Sequence, residues 1–195
     1  MHRIITDKKE GLTTPARMQD RVQNNFILPD RLQPIAIPPT TPRRYLSFYQ
    51  ALNLRFLTEV TGDWHFMMVF YSPAGSPQVE IPLAGVGMPV DTTPVLGELG
   101  VRDMADVLVR QGILANNSHP VWAANHARAI ADLAMEVIPA PYQPYTLTVN
   151  EVNQWLDTRE QVDDLVQNYL IPLRQLKEGV DLAPYDDWLQ TIHYQ

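Results

Sequence analysis

Seventeen prolines in 195 residues constrain this chain more than any other feature, and six of them fall before residue 45. Proline fixes its own φ and pushes the preceding residue toward extended backbone. "LPDRLQPIAIPPTTP" therefore predicts a largely extended segment. One piece ahead of it reads as helical. Thr14 suits a cap, Pro15 suits the first helical position, and Met18, Val22 and Phe26 recur every four residues, predicting a helix over about 15–27. So short a helix is marginal alone and needs a surface to dock on. Residues 1–41 thus read as an N-terminal arm with a short docking helix, and 42–195 as a single globular α+β domain.

Charge sharpens this division. The first 44 residues hold eight Lys/Arg against four Asp/Glu, whereas the remainder holds seven against eighteen. A basic leader ahead of an acidic body suggests docking on an acidic surface of its own body, of another copy, or of another protein. Met18, Val22, Phe26, Arg43 and Arg44 are the candidate partner-binding residues. The net charge of −7 disfavours a general nucleic-acid binder, and Arg43–Arg44 is too short to make a basic patch. No signal-peptide pattern and no membrane-length apolar run occurs, so a cytoplasmic protein is expected. The absence of cysteine removes disulfides, thiolate nucleophiles and cysteine-bound metals.

Along the body, Thr41–Pro42 repeats the cap-then-proline signal and predicts a long helix over about 42–61, with Tyr45, Tyr49, Leu52, Phe56 and Val60 inward and Gly62 at its end. "WHFMMVFYS" and "VEIPLA" predict a hairpin of two antiparallel strands over about 64–84, to which "PIAI" or "PYTLTV" would add a third. About five helices pack against this small sheet. Val101–Gly112 and "SHPVWAANHARAIADLAMEVI" read as helices, the latter with Ala123, Ala127, Ile130, Ala134 and Val137 inward and Asn125, Arg128, Asp132 and Glu136 on its opposite face. "TVNE" and "TREQ" are capping boxes. Pro172 is expected to kink the helix after the second box, and Gly179 to end it; "APYDDWLQTIHYQ" makes a last helix. Trp122, Trp155 and Trp188 are expected to anchor the core or an interface.

"TGDWHFMMVFYSP" places Asp63 and His65 two residues apart, and with His119 and His126 they form the candidate catalytic set for acid–base or metal chemistry. No HExxH, HxH or GxSxG pattern supports them, so Thr61–Trp64 reads instead as the junction between a helix and a strand. Residues 83–100 follow a strand and precede a helix, yet the glycines lack phosphate-loop spacing, which favours partner contact over nucleotide binding. No cofactor and no metal is expected. The leading reading is a non-catalytic protein-interaction or assembly subunit of a larger bacterial or phage complex, binding a protein partner or itself through the arm. A small hydrolase-like enzyme using Asp63, His65 and His126 is the alternative, and an antitoxin or immunity-type binder a further one.

Overall fold

A computed structural model describes residues 32–54, 67–77, 79–116, 118–137, 147–176 and 182–194. The expected docking helix, with Met18, Val22 and Phe26, lies outside them. So do Asp63, His65 and the first half of "PYTLTV". The class is α+β, with two small sheets and helices packed around them.

The four-stranded sheet runs in the order β4 (Leu83–Gly85), β2 (Arg44–Leu46), β6 (Trp122–Ala124), β5 (Val101–Asp103). Its two central strands are parallel, with Leu46 opposite Ala123, and both edges pair antiparallel. The smaller sheet pairs β1 (Leu32–Pro34) with β3 (Tyr71–Pro73), which follows a 3-10 turn over Met67–Phe70. The two strands expected to form one hairpin therefore lie in different sheets, because β3 is claimed by the proline-rich leader and β4 by β2.

That leader is tied to the body from Leu32 onward. Beyond β1, Ile35 donates its N–H to the Phe70 carbonyl, Ala36 bridges to Glu80, and the Thr40 hydroxyl accepts the Trp122 N–H at 2.8 Å. Thr41 does not begin a long helix. Its Oγ1 accepts the N–H groups of Arg43 and Arg44, closing a tight turn that feeds β2. Tyr45 and Leu46 are then buried in the sheet, and only Phe48–Leu52 is helical (α1) among residues 42–54. Propensity here yields to the central position of β2.

α2 (Thr93–Leu96) and α3 (Ala105–Arg110) flank β5. The expected helix from Val101 is shortened because its first three residues join the sheet. The next expected helix likewise loses its first turns to β6, and α4 (His126–Val137) begins after Asn125. Asn125 Oδ1 caps it by accepting the Arg128 N–H at 2.8 Å. Every residue from His126 to Met135 is buried, so α4 is a central helix rather than an amphipathic surface one.

Both capping boxes form as expected, opening α5 (Val149–Trp155) and α6 (Arg159–Asp164). Ahead of Pro172 the rod widens into a π-helical stretch, Leu165–Leu170, then continues through α7 (Ile171–Leu173) and a 3-10 turn, Arg174–Leu176. Widening accommodates the donor that Pro172 lacks without breaking the helix. α8 (Ala183–Thr191) is the expected last helix; its Tyr185 hydroxyl donates to the Leu170 carbonyl at 2.8 Å. No helix among the described residues is long and apolar enough to cross a membrane.

Gly85 closes β4 at φ 102, where a Cβ would run into the Arg43 carbonyl oxygen. Gly75, at φ 82 in an open turn, has nothing within 4 Å of such a Cβ. Gly75→Ala should therefore lose only the left-handed backbone preference, about 1–2 kcal/mol. Gly85→Ala should lose at least about twice that, because backbone must also move. Urea unfolding of the two variants checks the contrast.

Candidate functional site

The sheet and α4 meet around two fully buried ions, Arg128 and Asp132, one helical turn apart. Arg128 Nε lies 3.5 Å from Asp132 Oδ1 and donates to the Tyr45 hydroxyl at 2.8 Å. The other guanidinium nitrogens donate to the carbonyls of Leu99 at 2.9 Å and Gly97 at 3.3 Å. Its carbon stands 5.1 Å from the Tyr45 ring centroid. Asp132 accepts from Ser47 Oγ at 2.7 Å, Thr92 Oγ1 at 2.5 Å and the Tyr45 hydroxyl at 3.1 Å. Burial pushes the Asp132 carboxyl up, while Arg128 and the three hydroxyls pull it down; the net direction is upward. Burial, reinforced by the Asp132 charge, also drives the Tyr45 hydroxyl well above its ordinary range.

Sequence reading placed Arg128 and Asp132 on the solvent side of their helix, and the structure reverses that. The overlooked signal is the alanines on two sides of the helix: Ala127, Ala131 and Ala134 lie along one stripe and Ala129 falls opposite them. Small residues on opposite sides let other elements close over a helix, and two opposite charges four residues apart then satisfy each other inside.

The network also shapes the surface. Ser47 sits at the start of α1 but makes no side-chain cap there, since its hydroxyl goes to Asp132. The next residue, Phe48, takes φ 56, a left-handed conformation costly for a side chain with a Cβ. Phe48 then walls a groove of about 290 Å³, with Leu83, Met88 and Val90 as further apolar lining. Three exposed charged residues, Arg44, Glu80 and Glu136, also line it. Partial desolvation pushes the Glu136 carboxyl up. Three of the apolar walls, Leu83, Met88 and Val90, come from the 83–100 stretch expected to contact a partner, and Arg44 is one of the two expected partner-binding arginines. Arg43 is exposed beside it.

The described histidines have different surroundings. His126 is 5% exposed and its Nδ1 lies 3.0 Å from the Trp155 carbonyl, tying α4 to the end of α5. His119 is exposed in the turn before β6. Among the described residues no three His, Asp or Glu side chains are grouped to hold a metal ion. The three tryptophans on the described elements are partly buried: Trp188 donates to the Leu147 carbonyl at 2.5 Å, and Trp155 meets Tyr49 edge to face at 5.9 Å.

Removing one ion strands the other in the core, so Arg128→Met and Asp132→Leu should each lose about 3–5 kcal/mol. The double variant should lose less than the sum of the two, and urea unfolding of all four proteins measures that coupling. A second test concerns pH. With its carboxyl raised in the fold, the native state keeps a proton that the unfolded chain releases near pH 3.9. Stability from Asp132 is thus fully present below that pH and declines as pH rises through the folded pKa. Urea midpoints against pH should show this decline in the native protein and not in Asp132→Asn. No family model matches this chain, nor does any curated protein or solved structure, so its own charges and surfaces carry the functional reading.

Proposed function

We propose that this chain is a protein-interaction or assembly subunit whose basic, proline-rich leader docks on an acidic surface of a neighbouring chain. The observation that carries this reading is the charge asymmetry, with six Lys/Arg against four Asp/Glu in residues 1–31 and nine against eighteen in the rest of the chain. Within the body, Arg128 is sealed against Asp132, and Arg174 binds Asp186 at 2.9 Å. Exposed carboxylates occur on several elements of the body, including Glu80, Glu98, Asp106, Glu136, Asp163 and Asp187. Such a surface attracts a basic segment over roughly a Debye length, about 8 Å at physiological salt.

The test is a deletion that stops at residue 31, since from Leu32 onward the leader contributes β1 and later hydrogen bonds to the body. Light scattering should show association of the full chain and a monomer after deletion, with an unchanged circular-dichroism melt. Association should also weaken steeply with salt. Deletion that leaves association intact would count against this function.

A further inference from the structure

We propose that the Phe48 groove receives the Met18–Phe26 stripe of a second copy, with Glu80 and Glu136 facing the Arg17 and Arg21 of that copy. This deepens the reading above and rests on it. The groove has space for one or two large side chains, at about 290 Å³, and its walls are apolar. The ion pairs Arg128–Asp132 and Arg174–Asp186 do not involve Glu80, Glu136 or Arg44. The groove therefore offers two carboxylates and one guanidinium beside an apolar floor. "ARMQDRVQNNF" offers the complement: Arg17 and Arg21 each precede an apolar residue, and Asp20 stands between them as the counterpart of Arg44. At helical spacing Arg17, Asp20 and Arg21 share one edge beside Met18 and Val22.

Phe48 fixes one wall of this surface in place before any partner arrives. Its left-handed backbone is held in place by the neighbouring Ser47–Asp132 bond, and strain of this kind is retained where a wall must stand in one position.

Chain length favours a second copy over the chain's own leader. Leu32 is six residues from Pro38, which also lines the groove, and Phe26 is six residues from Leu32. Each of these spans reaches at most about 21 Å. To fill its own groove the leader would have to reverse direction and then run back the full distance. β1 keeps residues 32–34 extended, so the whole reversal would have to fall between Phe26 and Leu32.

The experiment uses the full chain with a photo-crosslinking phenylalanine analogue at position 26, mixed from isotopically heavy and light preparations. Cross-links between heavy and light chains, at residues 80–90, are expected. Cross-links confined within one chain, or to segments away from the groove, would overturn the proposal, as would a full chain that stays monomeric. Charge reversal supplies a second readout. Glu80→Lys with Glu136→Lys should weaken association at least tenfold, and adding Arg17→Glu with Arg21→Glu should restore it. If deleting residues 1–31 dissociates the protein while the reversals and Phe26→Ala leave association unchanged, the groove is wrong and the arm reading survives. If the deletion also changes nothing, both fall.

Discussion

The Arg128–Asp132 pair is the interaction on which the described body depends. Two ions without water lose several kcal/mol each to desolvation, and recover it only when geometry supplies enough partners. Here the partners come from separate stretches of chain. Tyr45 and Ser47 come from β2 and the turn after it, Thr92 from the start of α2, and the carbonyls of Gly97 and Leu99 from the loop before β5. Displacing any of these segments leaves a buried charge short of a donor or acceptor. One helical turn of α4 thereby sets the positions of an edge loop, a central strand and the helix after it.

The consequences reach the surface through Ser47. Its hydroxyl has two competing uses, capping α1 or bonding Asp132, and the second prevails because a buried carboxylate is costlier to leave unsatisfied than an N–H near the surface. Phe48 takes up the resulting geometry, and its ring becomes a wall of the groove. The shape of a surface feature is in this way traceable to an ion pair inside the protein.

Local signals were legible in the sequence wherever one residue satisfies another nearby. Thr148 with Glu151 and Thr158 with Gln161 cap as read, and Gly112 ends α3 with φ 73. Signals failed where a distant partner decided the outcome. Thr41–Pro42 has the same local chemistry in a helix cap and in a turn, and only the space between β4 and β6 selects the turn. Trp122–Ala124 read as helix because alanine favours one, but Thr40 and Val101–Asp103 recruit it as a strand. Arg128 and Asp132 read as solvent-facing because charge usually is. The alanines around them said otherwise, and that pattern becomes visible once the whole circumference of the helix is considered rather than one stripe.

With Arg128 and Asp132 engaged inside the core, the proposed recognition rests on long-range charge and on the groove, and these would do different work. Charge between leader and body would raise the encounter rate and set orientation, while contributing little lasting affinity in salt. Apolar contacts in a groove slow dissociation, but any segment that docks there must lose conformational entropy to reach them. Pro34, Pro38, Pro39 and Pro42 do not bear on that second quantity: they lie in the stretch already bonded to the body, so the freedom they remove is removed in folding. They stiffen instead the stretch that leads from β1 into β2, so the feature that most limits what this chain can fold into also sets where both sheets begin.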